Sequence, residues 1–356
     1  MKKRIVIIEG DGIGPEVIRQ GKKILLCINN KFNHNFLYTE AIAGKLAIRK
    51  YNNPMPDDTI ENCLKADAVL FGAIGDDKYD NYPIGMRPED GLLRLRKKMR
   101  LFCNIRPIIG YENIHYSSNT INKPILPNVD FVIYRELSSG IYFGKKGRLK
   151  NGEIAYDYCM YSKDEIKEIG IMAFQAADAR KKKLTLVDKA NVLETSRLWR
   201  EVIQKLALDY PHVQLECLYV DNASMKIIMN PIDFDVILSD NMFGDILSDE
   251  ASILSGSLGM IPSASIGKNK KALFEPIHGS YPQAAGKNIA NPLGCILSVS
   301  MMFHYFGLYK EQKLIENAVK NSINNNIITK DIVHPLEKYY STEEVGNYIE
   351  LYIKNH

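Results

Sequence analysis

The chain has 356 residues, of which 46% are hydrophobic and 25% are charged, and its formal net charge is +4. This length can bury a substantial core in one large domain or in two ordinary ones. The nearly balanced charge disfavours nucleic acid as a partner, because no basic arm interleaved with aromatic residues is present. Short basic runs such as residues 180–183 are typical of solvated faces.

The amino-terminal residues and the cysteines favour a particular subcellular location. Residues 1–4 are basic, and the apolar run that follows (Ile5–Ile8) is too short for a signal peptide and predicts a buried strand. No apolar run approaches the roughly 20 residues that cross a bilayer, so we expect no membrane partner. The six cysteines occur singly, at positions 27, 63, 103, 159, 217 and 295. This pattern favours packed thiols in a reducing cytoplasm over disulfides or zinc.

Short apolar runs alternate with longer amphipathic stretches along the chain. The predicted strands include Ile5–Ile8, Ala68–Phe71, Phe131–Tyr134, Leu184–Val187, Gln214–Val220 and Val236–Leu238. The predicted helices include Pro15–Ile28, Leu92–Met99, Lys163–Arg180 and Glu194–Leu208. Strand followed by helix, repeated, predicts an α/β fold.

Three stretches depart from this alternation. Ile108–Val129 is rich in Asn, Pro and Ser and predicts a connection. Gly147–Tyr161 alternates and predicts a hairpin arm away from the main sheet, a natural place for subunits to interlock. Ser255–Gly294 is rich in Gly, Ser and Pro and predicts loops before the closing helices.

A pair of aspartates follows the strand that ends at Leu238. Asp245 and Asp249 are four residues apart, which places both carboxylates on one face of a helix. A bound cation such as Mg²⁺ neutralises the two carboxylates and so removes their mutual repulsion. In proteins Mg²⁺ is bound by one or two carboxylates together with oxygens of the ligand. The alternative is a solvated acidic helix face, which the apolar neighbours Ile246 and Leu247 make less favourable because they indicate a partly buried helix.

Polar residues also follow two other predicted strands. Lys189 leaves a buried strand end, where partial desolvation suits a lysine to proton transfer, although a surface lysine in a turn is the alternative. Asp221 follows the strand Gln214–Val220 and could be a metal ligand, but taken alone it is more typical of a helix N-cap.

Three arginines suggest an anionic ligand. Arg96 and Arg106 flank the segment 101–104, and Arg135 follows the strand Phe131–Tyr134. The planar guanidinium binds carboxylates through paired hydrogen bonds, although a salt bridge to a surface acid is the commoner fate of any one arginine. Tyr142 lies in a loop between glycines, where it could be a proton donor or a packed ring.

Two loops could contact a larger ligand. The turn Gly10-Asp11-Gly12-Ile13-Gly14 resembles a dinucleotide fingerprint only weakly, because its glycine spacing differs and no acidic residue is convincingly placed at the end of the second strand. Its following Pro15 suits the first helical position. The segment 274–292, with a lone His278, is long and rich in Gly and Pro, which favours a ligand loop, although a structural role for the histidine is the alternative.

Together these motifs resemble one enzyme family in order and spacing. The matching segments are GDGIGPE, RPEDGLLRLR, LFCNIRP, YREL, GIYFG, VDKANVLE, YVDNASM, NMFGDILSDEAS, GSLGMIPSAS, HGS and GKNIANP. The chain is therefore similar to the metal-dependent β-decarboxylating 2-hydroxyacid dehydrogenases of the isocitrate/isopropylmalate type. The resemblance implies an α/β two-domain fold with a mixed sheet spanning both domains, which is not a Rossmann fold. Residues 1–102 and 256–356 would form the cofactor domain, and residues 103–255 the substrate, metal and dimerisation domain, with a hairpin arm near 147–161.

The resemblance also implies roles for the site residues. Arg96, Arg106 and Arg135 would grip the substrate carboxylates, and Leu92 and Leu93 would face an isopropyl group. Asp221, Asp245 and Asp249 would hold Mg²⁺ or Mn²⁺. Lys189 would take the hydroxyl proton, with Asp221 beside it, and Tyr142 would return a proton after CO₂ is lost. In the homodimer, Lys189 and Asp221 would reach the site of the partner subunit.

The cofactor implied is NAD. The residues that would surround it are Ile13, Ile74, Glu89, Asn191, Glu275, His278, Gly279, Ser280, Tyr281, Gln283 and Asn291. Gln283 stands where NAD-using relatives usually have an aspartate, but it can still hydrogen-bond a ribose hydroxyl. Gln283-Ala284 also offers no Lys-Tyr pair at this place for a 2′-phosphate. Gly75-Asp76-Asp77 replaces a more usual Gly-Gly-Pro, which leaves the rigidity of that loop open.

The substrate within the family depends on the helix before Arg96. Leu92 and Leu93 favour an isopropyl group, whereas isocitrate would require a polar or cationic partner for its third carboxylate. A hydrophobic pocket discriminates by only about 1–3 kcal/mol per methylene, so the preference is not absolute. Activity on malate, tartrate, homoisocitrate or isocitrate is the close alternative. A non-catalytic protein that binds metal and dinucleotide is the alternative of a different class.

Overall fold

The computed structural model describes residues 1–114 and 128–356. Within these ranges the chain divides into two compact units. Unit 1 contains residues 1–100, 110–114 and 252–356, and unit 2 contains residues 101–109 and 128–251. No helix of the described ranges has the length and apolarity needed to cross a membrane.

Unit 1 is a five-stranded mixed sheet with helices, numbered here in order along the whole chain. Its strands are β1 (Lys2–Gly10), β2 (Asn35–Ala41), β3 (Ala68–Ala73), β11 (Pro262–Gly267) and β12 (Ala272–Pro276). Its helices are α1 (Gly14–Lys31), α2 (Lys45–Tyr51), α3 (Asp57–Lys65), α4 (Pro88–Lys98), α9 (Leu293–Tyr305), α10 (Tyr309–Asn324) and α11 (Thr342–Asn355). The strand order is β2-β1-β3-β12-β11, and β11 runs antiparallel to β12. An all-parallel doubly wound sheet has a different order, so the expectation of a fold other than the Rossmann fold is confirmed.

The apolar pattern of unit 1 explains this architecture. Every residue of β3 is buried, as expected for a central strand with helices on both faces. Helix α1 buries a stripe spaced three and four residues apart, including Val17, Ile24 and Ile28. Helix α11 begins with a capping box in which Ser341 and Glu344 satisfy each other's backbone amides.

Unit 2 contains a second five-stranded mixed sheet segment and a separate hairpin. Its strands are β4 (Leu101–Ile109), β5 (Asp130–Glu136), β6 (Lys146–Leu149), β7 (Ile154–Asp157), β8 (Lys183–Asp188), β9 (Gln214–Tyr219) and β10 (Val236–Ser239). Its helices are α5 (Lys163–Ala179), α6 (Glu194–Ala207), α7 (Val220–Met229) and α8 (Asn241–Ala251). The order is β4-β5-β10-β8-β9, with β4 antiparallel to β5 and the other four strands parallel. Strands β6 and β7 form a separate antiparallel pair, which overlaps the segment predicted to be a hairpin arm.

The core of unit 2 lies between its sheet and helices α5 and α6. Phe174 and Trp199 are buried against Leu184, Leu186 and Leu238 of the central strands. The four parallel strands β5, β10, β8 and β9 end along one edge of this sheet segment. The segments after their ends are where an α/β fold places ligand-binding residues.

Several sequence-based expectations were wrong in detail. The Gly/Ser/Pro-rich stretch 255–294 is not all loop, because β11 and β12 pair within it. Ile108 belongs to β4 and not to a connection, while residues 115–127 of that predicted connection lie outside the described residues. Pro15 occupies the second position of α1, since the helix begins at Gly14.

Candidate active site

Helix α8 presents the two predicted metal-binding carboxylates to the arginines of β4 and β5. Arg135 Nη1 lies 2.5 Å from Asp245 Oδ1. Arg106 reaches both acids, with Nη2 3.2 Å from Asp245 Oδ1 and Nη1 3.3 Å from Asp249 Oδ1. Both guanidinium groups are almost fully buried, with side-chain exposures of 6% for Arg106 and 2% for Arg135. The structure thus brings these four charged groups, two of each sign, into one cluster in unit 2.

Tyr142 joins this cluster from the short turn Gly140–Tyr142. Its hydroxyl donates to Asp245 Oδ2 at 2.9 Å, and its ring lies 5.4 Å from the Arg135 guanidinium carbon. Burial, followed by the neighbouring Asp245 carboxylate, raises the pKa of this hydroxyl. Tyr142 is therefore protonated at neutral pH and is placed to donate a proton.

Three small polar residues that the sequence did not single out hold the arginines. Arg106 donates from Nε to Asn104 Oδ1 at 2.6 Å and from Nη1 to Ser248 Oγ at 2.6 Å. Asn241 accepts twice from Arg135, at its backbone oxygen and at Oδ1, both at 2.8 Å. Asn104, Ser248 and Asn241 are fully buried. These contacts fix the direction of each guanidinium fork.

Lys189 and Asp221 form a second constellation at the same sheet edge. They follow the parallel strands β8 and β9, and Lys189 Nζ lies 2.8 Å from Asp221 Oδ1. The hydrogen bond from Lys189 lowers the pKa of the Asp221 carboxyl. Asp221 lies in the first turn of α7, whose N-cap is Tyr219, so the N-cap alternative is wrong.

Two of the three predicted metal-binding carboxylates lie together in the described chain. Among the described residues, no three of His, Cys, Asp and Glu lie close enough together to hold a metal, so Asp221 does not join Asp245 and Asp249 within one chain. Two carboxylates on one helical face are sufficient protein ligands for a hard cation that also binds substrate oxygens. The donor set fits Mg²⁺ or Mn²⁺ on this basis.

Arg96, the third predicted arginine, lies in unit 1 and was expected to grip a substrate carboxylate. Its Nη2 lies 2.8 Å from Glu275 Oε1, and both side chains are about one-tenth exposed. Its Nε is buried and has no hydrogen-bond partner among the described residues. Arg96 therefore retains one donor for a ligand. Leu92 and Leu93, on the same helix α4, are half-buried.

The glycine turn and the His278 loop of unit 1 meet directly. Ile13 N donates to Ser280 O at 2.7 Å, and a Cβ on Gly12 would lie 1.8 Å from the same oxygen, so only glycine fits there. His278 Nδ1 lies 2.9 Å from Gly279 O, while Nε2 is buried without a partner in the described part of the chain. Burial lowers the pKa of His278, which is therefore a neutral ring with a spare nitrogen.

The other residues predicted around the cofactor are placed as follows. Asn291 donates to Asp331 Oδ2 at 3.0 Å. Glu89 Oε1 faces Gly75, where an added Cβ would lie 2.6 Å from it. Ile74 is half-buried, whereas Tyr281 and Gln283 are exposed in unit 1 and Asn191 is exposed in unit 2.

Comparison with known proteins agrees with this geometry. The family model described as isocitrate/isopropylmalate dehydrogenase matches residues 4–349. A 3-isopropylmalate dehydrogenase from Wolinella succinogenes is 47% identical over 356 residues, covering 99% of this chain and 98% of that protein. Another from Bacillus subtilis is 46% identical over 350 residues, covering 97% of this chain and 95% of that protein. The crystal structure of an isocitrate dehydrogenase from Methylococcus capsulatus matches with a TM-score of 0.89 at 31% identity, covering 99% of each chain.

The chain belongs to the isocitrate/isopropylmalate dehydrogenase family. It is thus an α/β oxidoreductase, and dehydrogenases of this family in general use NAD and a divalent metal on a small dicarboxylate.

Proposed function

We propose that the protein oxidises (2R,3S)-3-isopropylmalate with NAD and decarboxylates the product to 4-methyl-2-oxopentanoate, a step of leucine biosynthesis. The observation that carries the proposal is the buried cluster in which Arg106 and Arg135 meet Asp245 beside the Tyr142 hydroxyl. Two relatives named 3-isopropylmalate dehydrogenase, 47% and 46% identical over nearly the whole chain, support it.

Charge balance explains how the cluster accepts its ligands. The two arginines neutralise Asp245 and Asp249 in the free protein. A divalent cation and a doubly charged dicarboxylate add equal and opposite charge, so the guanidinium groups can pair with the substrate carboxylates without leaving a buried charge unpaired. Asn104 and Asn241 hold the Nε of each planar guanidinium and so keep the whole group in its direction.

The bound cofactors would supply chemistry that the side chains lack. NAD would accept the hydride, and Mg²⁺ or Mn²⁺, held by Asp245 and Asp249 with Asp221 of the partner subunit, would act as a Lewis acid toward the substrate oxygens. Asp245 and Asp249 hold one end of this site, and their position on a single helix fixes the spacing of the two carboxylates.

Two side chains move protons. The Lys189 amine takes the proton of the substrate hydroxyl as the hydride leaves the adjacent carbon, and Asp221 orients this amine. When CO₂ leaves, the electron pair of the broken bond remains on the substrate, and the Tyr142 hydroxyl donates a proton to the carbon that lost it. Tyr142 then regains a proton from solvent. These roles are consistent with a hydroxyl whose pKa is raised.

Selectivity is part of the proposal. Leu92 and Leu93 of α4 offer apolar surface for an isopropyl group. Gln283 can hydrogen-bond the adenosine ribose, so we propose NAD over NADP. The six free thiols support a reducing, cytoplasmic location.

We also propose a homodimer with shared active sites. In unit 2, large apolar side chains lie exposed around α7 and α8, including Met225 (60%), Met229 (72%), Ile232 (58%) and Ile246 (57%). Exposed apolar surface of this kind marks association sites. Ile246 is exposed and Leu247 is buried, so α8 is partly buried, as expected.

Substrate turnover tests the function. The wild-type chain is assayed for NADH formation with 3-isopropylmalate, malate, tartrate, homoisocitrate and isocitrate, each with NAD or NADP. We expect the highest catalytic efficiency for 3-isopropylmalate with NAD. Higher efficiency with isocitrate would assign the protein to another activity of the same family, and preference for NADP would refute the cofactor assignment.

A further inference from the structure

Residues 74–77 of unit 1 form a tightly held loop after β3. Gly75 has a φ of +126°, a backbone conformation that side-chain-bearing residues rarely adopt. A Cβ there would lie 2.6 Å from Glu89 Oε1 and 3.4 Å from Ser280 Oγ. Glu89 and Ser280 are both residues of the proposed dinucleotide site, so this loop lies against it.

An ion pair fixes the next residue of this loop. Lys45 Nζ, at the start of α2, lies 3.2 Å from Asp76 Oδ2, and the two side chains are 29% and 10% exposed. Asp76 Oδ1 also accepts from Lys78 N at 3.2 Å. Although burial opposes its ionisation, the hydrogen bonds from Lys78 and Lys45 lower the pKa of Asp76. Asp76 is therefore charged and paired.

A second tie connects the same two segments. The fully buried Asp11 accepts from Lys45 N at 2.9 Å and from Gly75 N at 3.1 Å. This carboxylate holds the backbone of both segments, whereas the Lys45 side chain holds Asp76. The loop is consequently held by the hydrogen bonds of Asp11 to backbone amides and by the Lys45–Asp76 ion pair. The ion pair can be removed by mutation while the Asp11 hydrogen bonds remain.

We propose that Lys45 and Asp76 are positioning residues that pre-order the 74–77 loop for the dinucleotide, an inference that rests on the proposed function. An ordered loop binds more tightly because less conformational entropy is lost on association. The Gly75-Asp76-Asp77 segment is then rigid through an ion pair, although it lacks the proline that would stiffen its backbone.

The experiment uses the variants Lys45→Met, Asp76→Asn and the double variant in the full-length protein. The Lys45 backbone contact to Asp11 remains in each. NADH affinity is measured by fluorescence titration, and KM values for NAD and for 3-isopropylmalate are measured at steady state. Lys65→Met with Glu61→Gln is the matched control, because that pair is exposed on α3 of the same unit.

We expect each single variant to weaken NADH binding about fivefold, with the KM for 3-isopropylmalate nearly unchanged. The double variant should be no weaker than the singles, because they remove the same tie, and Lys45→Arg should retain wild-type affinity. If the single variants bound NADH as tightly as the wild type, or if the double variant regained wild-type NADH affinity, the positioning role of Lys45 and Asp76 would be overturned. The proposed function would stand. A wild-type protein that binds no NADH would overturn the proposed function as well.

Discussion

Lys189 and Asp221 face each other across the ends of two parallel strands, with 2.8 Å between Nζ and Oδ1. Within the described residues, neither side chain forms a hydrogen bond or an ion pair with Asp245 or Asp249 of α8. The proton acceptor and one metal ligand of the proposed reaction therefore lie together in one constellation. Arg106, Arg135, Tyr142 and the other two carboxylates lie in another. The proposed dimer combines the two.

Removing the Lys189 amine should abolish oxidation. We expect Lys189→Met to lower kcat by about 10²–10⁴, since that is the range supplied by general acid–base catalysis. NADH affinity should not change. Lys226→Met is the control, because this lysine of α7 pairs with Glu216 at 3.4 Å and has no proposed catalytic role. Equal losses in the two variants, measured by steady-state kinetics, would indicate a structural effect.

Sharing of the sites predicts complementation between two inactive variants. Lys189→Met and Asp245→Asn chains with different tags are co-expressed, and the mixed dimers are purified. Each mixed dimer contains one site with both defects and one with neither, so it should recover about half of the wild-type activity. If each site were built from one chain, the mixed dimers would be as inactive as the parents.

Loss of the Tyr142 hydroxyl should slow turnover with little effect on binding. We expect Tyr142→Phe to lower kcat about 10²-fold and to leave the KM for 3-isopropylmalate within about threefold. Tyr158→Phe serves as the control, because Tyr158 is 56% exposed next to the hairpin. A Tyr142→Phe enzyme with wild-type kcat would remove this residue from the mechanism.

Ser248 should act through Arg106. Its Oγ accepts from Arg106 Nη1 and donates to Asp245 O at 2.9 Å, so Ser248→Ala frees the guanidinium fork. We expect about a tenfold rise in the KM for 3-isopropylmalate. Ser298→Ala is a matched control, since Ser298 is also buried in a helix and donates to a backbone oxygen, that of Gly294, in unit 1. A comparable rise in both variants would contradict a positioning role.

Asp11 should make stability depend on pH. Burial raises its pKa from 3.8 to about 6. The folded protein thus retains this proton up to about pH 6, whereas the unfolded chain releases it near pH 4. This proton therefore stabilises the folded state. Its contribution to the free energy of unfolding is complete below the pKa of the unfolded chain and is lost as the pH rises through about 6, in total on the order of 3 kcal/mol.

Urea unfolding between pH 4 and pH 7 tests this sign. Between these limits the wild type should lose stability relative to Asp11→Asn as the pH rises. The control is Asp58→Asn, at an exposed position of α3. Its free energy of unfolding should change with pH in the same way as that of the wild type. Parallel curves for the wild type and Asp11→Asn would show that Asp11 does not titrate in this range.

The sequence predicted the elements whose local pattern matches their environment. Continuous apolar runs became β1, β3 and β10, and the four-residue spacing of Asp245 and Asp249 placed both near Arg106, as the helical period requires. Strand β11 was missed because its small residues are required by packing against other elements, which the local sequence does not show. Pro262, Ser263 and Ala264 resemble loop residues locally, but they are buried in a strand that packs against α9.

The supporting residues of the site could not be predicted for a similar reason. Asn104, Ser248 and Asn241 are common polar residues, and each gains its role only when folding places it beside an arginine. The tie between Lys45 and Asp76 joins residues 31 positions apart, and neither residue has a local pattern that points to the other.

The most direct test of the account is the stoichiometry of NADH and CO₂ formed from 3-isopropylmalate by the wild-type protein. We predict equal amounts of both products with NAD, no reaction after chelation, and recovery when Mg²⁺ or Mn²⁺ is added. Absence of NADH formation from 3-isopropylmalate, or unchanged activity in the chelated enzyme, would contradict the account.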